Sequence, residues 1–146
     1  MLTQGSARIP VREAVLHCAA IKTGQFSGMT PLEVFTTINR WHIERGYKAF
    51  GYHGLFMPDG GFYSGRPFDQ IGAHVAGENA GKLGFLLIES RQITRMGQFS
   101  DWFTDAQRDA VKRMLAAIPG LERVAGHNAY ANKLCPGFYV RSADWL

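Results

Sequence analysis

The run Leu83-Gly84-Phe85-Leu86-Leu87-Ile88 carries no polar side chain. A strand with one wet face alternates polar and apolar residues, so this run reads as a central strand covered on both faces. Covering it takes helices, and two segments have the pattern. Thr30-Pro31-Leu32-Glu33 opens the first: threonine caps, proline takes the first helical position, and Glu33 reaches back to close a capping box. Val34, Phe35, Ile38, Trp41 and His42 then share one face, Arg40, Glu44 and Arg45 are left to solvent, and Gly46 is placed to end the helix. Thr104-Asp105-Ala106-Gln107 repeats the capping signature. Val111, Met114, Leu115 and Ile118 follow at helical spacing before Pro119-Gly120 stops the chain.

Shorter signals fill the remainder. Ala14 to His17 reads as a buried strand ending in His17-Cys18-Ala19-Ala20. Gly51 to Met57 reads as a strand that turns at Pro58-Asp59-Gly60-Gly61 into a second, from Phe62 to about Arg66. Arg123-Val124-Ala125-Gly126 is a last short strand delivering His127 at its end. Residues 1–12 read as a loose lead-in, and residues 89–103 as an irregular excursion carrying Phe99, Trp102 and Phe103, aromatics better suited to covering a sheet than to stacking on sugars. The order strand, helix, hairpin, strand, helix, strand predicts an α/β fold: one domain over 1–146, its core about 12–138, with a mixed central β-sheet flanked by helices. At 146 residues the chain can bury a core without disulfide staples.

Composition narrows the partners. The net charge of +4 is spread along the chain with no basic run, which falls short of a nucleic-acid-binding signature. No window is apolar enough to cross a membrane, and Met1 to Arg8 has no apolar core of a signal peptide. Two cysteines, Cys18 and Cys135, make a thin disulfide framework.

The chemistry concentrates in Gly126-His127-Asn128-Ala129-Tyr130-Ala131-Asn132-Lys133-Leu134-Cys135-Pro136. Imidazole and thiolate are preferred zinc ligands, and a catalytic site takes three protein ligands with a fourth position open. His17, at a strand end, is the best third candidate. Its neighbour Cys18 faces the other way along a strand and so does not reach the same metal. Without a Cys-x-x-Cys pair the spacing does not match a closed structural site. A core histidine, a surface histidine and a buried thiol would produce the same residues without a metal.

Taken in order, the segments resemble one family. They are the strand ending in His17, Trp41-His42 with Gly46, Gly51-Tyr52-His53, Asp59-Gly60, Gly65-Arg66, Gly72-Ala73-His74, Asn79 and the strand containing Gly84. Gly97 to Gln107, then His127 with Lys133-Leu134-Cys135-Pro136, complete the set. The chain is similar to the zinc-dependent N-acetylmuramoyl-L-alanine amidases, the family of phage amidase endolysins and peptidoglycan recognition proteins. The resemblance implies zinc (Zn2+) on His17, His127 and Cys135, and catalytic roles for Tyr52 and Lys133. It also brings His74, Arg66 and Asn79 forward as substrate-binding candidates, although turn and sheet-edge roles suit the last two equally. His42 and His53 are expected to be structural. No glutamate stands where some relatives keep a general base, so the tyrosine type is expected.

The implied reaction is hydrolysis of the lactyl amide bond between N-acetylmuramic acid and L-alanine in peptidoglycan. The implied setting is a phage or prophage endolysin, a monomer made in the host cytoplasm and released to the cell wall through a separate pore. Its partner is the muramyl peptide, with no nucleic acid. Alternatives within the family are a cytoplasmic muropeptide-recycling amidase and a non-catalytic peptidoglycan-binding module. One departure is Glu89-Ser90-Arg91 after the central strand, where relatives tend to have glycine. Another is the stop at Trp145-Leu146, which leaves affinity for the wall to the catalytic groove.

Overall fold

The computed structural model describes residues 1–146. Strands β1 (Thr3–Gln4) and β2 (Ile9–Pro10) form a small antiparallel pair, followed by β3 (Glu13–Cys18), helix α1 (Pro31–Glu44), β4 (Gly54–Phe56), β5 (Phe62–Ser64) and β6 (Lys82–Leu87). Then come the single-turn α2 (Phe99–Trp102), α3 (Asp105–Ala117) and β7 (Arg123–Gly126), with short 3-10 turns at His127–Ala129 and Ser142–Asp144. The main sheet has the order β5-β4-β6-β3-β7. Only β5 runs antiparallel, through its hairpin with β4; β4, β6, β3 and β7 are mutually parallel.

As its composition requires, β6 lies inside this sheet. Leu83, Phe85 and Leu87 point into a core with Leu16, Phe56, Val111 and Leu115, under α3. Leu86 and Ile88 point the other way, to Val34 and Ile38 of α1. Alternation along one strand thus feeds two cores. Both capping boxes form: Thr30 and Glu33 exchange bonds of 3.2 Å each, and Thr104 pairs with Gln107 in the same way. Phe99, Trp102 and Phe103 are buried in the α3-side core.

The structure departs from the sequence reading at five points. The lead-in is not loose. Gln4 is fully buried, its Oε1 accepting from Gly81 N–H at 2.9 Å and its Nε2 donating to the Lys82 carbonyl at 2.9 Å. The C-terminal residues also pack, with Trp145 buried against Phe99. The strand anticipated from Gly51 begins only at Gly54. Before it, Gly51 N–H donates to His42 Nδ1 and Tyr52 O accepts from Arg66 N–H, so these groups serve loops and not a ladder. Its partner ends at Ser64, not Arg66, and the excursion over 89–103 contains the helical turn α2.

Candidate metal centre

Because β3 and β7 are parallel and adjacent, their C-terminal ends open on the same side. Leu16 pairs with Gly126, so His17 and His127 leave the sheet next to each other. Their ring centroids are 4.7 Å apart. The chain turns through His127–Ala129 and returns, with Asn128 N–H donating to the Cys135 carbonyl at 2.9 Å. Cys135 Sγ ends 3.9 Å from His17 Nδ1 and accepts from Cys18 N–H at 3.2 Å. The donor atoms of His17, His127 and Cys135 all lie within 4.8 Å of one another. Zinc binds nitrogen and sulfur at about 2.0–2.3 Å, so small side-chain rotations bring all three into range. The Cys18 side chain packs into the α3-side core and also borders the cleft beside Cys135, but it is not among the three converging donors.

The charges suit a cation. Burial holds His17 below the usual imidazole range, which keeps it neutral and able to ligate. Hydrogen bonding from Cys18 holds the Cys135 thiol well below its ordinary range, helped by His127 and His17 and opposed by burial. The same contact, with burial, pushes Cys18 up. Cys135 is therefore the thiolate of the pair.

This cluster forms one wall of an open cleft of about 420 Å³, whose lining includes Trp41, Arg45, Tyr52, His127, Lys133 and Cys135. The Tyr52 ring meets His17 edge-on at 5.0 Å. Burial pushes its phenol up, so the hydroxyl stays protonated and able to donate. Lys133 is exposed at the mouth. His42 also borders the cleft, but its Nδ1 is taken up by accepting from Gly51 N–H at 3.0 Å, the structural role expected of it.

The three substrate-binding candidates are placed elsewhere. Arg66 is spent on the carbonyls of Phe50 (2.8 Å) and Ile71 (3.0 Å). Asn79 Oδ1 accepts from the N–H groups of His74 and Val75, both at 2.8 Å. His74 is buried behind His17 and does not line the cleft. None of the three lines this cleft: Arg66 and Asn79 hold loop backbone and His74 lies against His17.

One supporting residue escaped sequence reasoning. The buried carboxylate of Glu89 accepts from Ala19 and Ala20 N–H at 2.9 Å each and from Ile21 N–H at 3.4 Å. It fixes the loop that follows His17, in which Ala20 takes a positive φ of 59° and lines the cleft. An acidic residue closing an all-apolar strand was the available signal.

The C-terminal end of a parallel sheet that gathers His17, His127 and Cys135 beside a cleft lined by Tyr52 and Lys133 is suited to hydrolysis at a polarised carbonyl. The chain belongs to the N-acetylmuramoyl-L-alanine amidase family, whose profile matches residues 7–138. It is 31% identical over 131 residues to the endolysin of Escherichia phage T7, covering 86% of this chain and 80% of that protein. Among solved structures, wild-type Drosophila PGRP-LB superposes with a TM-score of 0.73 at 25% identity, covering 94% of this chain and 78% of that one. The amidase LysC from Clostridium intestinale URNW gives 0.66 at 26% identity, over 88% and 76%. The protein is therefore an amidase acting on peptidoglycan.

Proposed function

We propose that the amidase is zinc-dependent, with His17, His127 and Cys135 as ligands and Tyr52 and Lys133 as catalytic residues. The observation that carries this is the convergence of three donor atoms within 4.8 Å in the cleft that Tyr52 and Lys133 also line. Bound there, zinc would supply Lewis acidity to the scissile carbonyl and a water acidified toward neutral pH.

The chain's own groups do the rest. Hydrolysis of the lactyl amide passes through a tetrahedral species with charge on the former carbonyl oxygen. The Lys133 ammonium and the Tyr52 hydroxyl are the donors that stabilise that charge. Tyr52 is preorganised, held between His17 and Phe50 at centroid distances of 5.0 and 5.3 Å, while Lys133 brings its charge from the exposed mouth. The attacking water gives up a proton and the departing L-alanine nitrogen must gain one, so the transfer is a relay, carried by the Tyr52 hydroxyl or by a water in the cleft. Trp41 and Arg45 on the facing wall offer an apolar surface and a cation to the muramyl peptide.

The biological reading is an endolysin, acting as a monomer on the bacterial cell wall. Its support is the likeness to a phage endolysin across most of both chains. No helix is long and apolar enough to cross a membrane. The test combines bound-metal analysis with release of peptide from purified Gram-negative sacculi, with and without chelator. Zinc near one per chain and chelator-sensitive release support the reading. Full zinc without cleavage of sacculi points to a recycling or binding role, and no zinc overturns the metal chemistry.

A further inference from the structure

His74 packs behind the metal-facing side of His17. Its Nδ1 is 3.0 Å from His17 Nε2, and the two rings stand at 89° with centroids 5.0 Å apart. The other nitrogen of His17, Nδ1, faces Cys135 Sγ at 3.9 Å. An imidazole that gives its Nδ1 lone pair to a metal carries its proton on Nε2, and that proton needs an acceptor. The acceptor the structure provides is His74 Nδ1.

The surroundings are shaped for this ring. A Cβ on Gly84 would stand 2.5 Å from His74 Cγ, and one on Gly72 would stand 2.6 Å from its Cδ2. Both strand and loop therefore stay bare where the imidazole lies. Asn79 holds the His74 backbone from the loop side through its two accepted N–H groups. The arrangement has a cost: His74 Nε2 is buried with no hydrogen-bond partner. An apolar residue of the same volume would avoid that cost. What it could not do is offer an acceptor to His17.

We infer that His74 is a positioning residue for the metal centre: its Nδ1 accepts the His17 Nε2 proton and so holds His17 in the tautomer whose Nδ1 is free to bind metal. The inference rests on the zinc site proposed above. In this arrangement the His74 proton sits on Nε2, the nitrogen that the structure leaves unpartnered. Moving that proton to His74 Nδ1 would force the His17 proton onto its own Nδ1 and block the ligand position.

Zinc affinity, measured by competition with a chromophoric chelator, tests this on wild type, His74→Phe and His74→Asn. Phenylalanine keeps the ring and removes the acceptor; asparagine returns an oxygen near the Nδ1 position. The expected result is a 10–100-fold weaker zinc affinity in His74→Phe and recovery of most of it in His74→Asn. Equal affinity in His74→Phe and wild type overturns the role of His74 while leaving the zinc site intact. A wild type that takes up no zinc overturns the site itself, and His74 with it. Imidazole nitrogen NMR on zinc-loaded wild type needs no variant. It should find a slowly exchanging proton on His17 Nε2 coupled through the hydrogen bond to His74 Nδ1. A proton on His17 Nδ1, or no such coupling, overturns the inference.

Discussion

The backbone N–H of Cys18 donates to Sγ of Cys135 at 3.2 Å, joining the end of β3 to a loop 117 residues further on. The Cys135 sulfur is thus held by main chain as well as by the Cys18 side chain, and a substitution at position 18 leaves the main-chain contact in place. Cys135→Ser should lose bound metal and turnover. Cys18→Ala should keep zinc near one per chain, with a modest loss of stability of about 1 kcal/mol from the emptied core volume. Metal analysis of the two purified variants checks this.

Lys133→Ala and Tyr52→Phe should each lower kcat about 100- to 1000-fold, the usual effect of removing one preorganised donor to a developing oxyanion. Zinc content should be unchanged, because neither residue is among the three donors proposed to hold metal. Steady-state kinetics on a defined muropeptide, alongside metal analysis, separates this from loss of the site.

Gln107 is fully buried, and its Nε2 donates to the carbonyls of Phe56 (3.1 Å) and Ile88 (2.8 Å). It ties the ends of β4 and β6 to α3. Gln107→Leu strands both acceptors and should cost about 2–3 kcal/mol. In a chain of this size that lowers Tm by roughly 6–10 °C, readable by calorimetry.

His42 and His53 both have their imidazole pKa lowered by burial. The unfolded chain takes up protons near the ordinary value of 6.5 and the folded chain does not. Their contribution is therefore complete above that pH and lost as pH falls below it. Urea midpoints should decline on acidification below pH 6.5. The decline should be shallower in His53→Gln, which removes one of the four buried imidazoles whose pKa is lowered, His17 and His74 being the others. An equal slope in both proteins would contradict the assignment.

Local signals carried far. Thr30 with Glu33 and Thr104 with Gln107 specify their helix starts within four residues, because a capping box needs no distant partner. The all-apolar run at Leu83–Ile88 could be stable only as a covered strand, and it lies inside the sheet. The zinc candidates were legible for a chemical reason: few histidines and cysteines occur in the chain, two of these sit at predicted strand ends, and the third follows in the loop after His127.

Other roles were beyond the reach of residue pattern. Gln4 looked like part of a loose tail, yet it is buried by partners 77 and 78 residues away. His74 sat in a glycine-rich loop and read as a groove residue; its true neighbour is His17, 57 residues back. Arg66 and Asn79 looked available to substrate until loop carbonyls and amides used their polar atoms. The sequence by itself determined the helices and the central strand and nominated three side chains with the chemistry to bind metal, since each depends on local periodicity or intrinsic chemistry. Only the tertiary structure decided which polar groups face the cleft and which support it from behind. That choice depends on which hydrogen bonds are satisfied once the parallel strands are in register, and register is set by packing across the whole sheet.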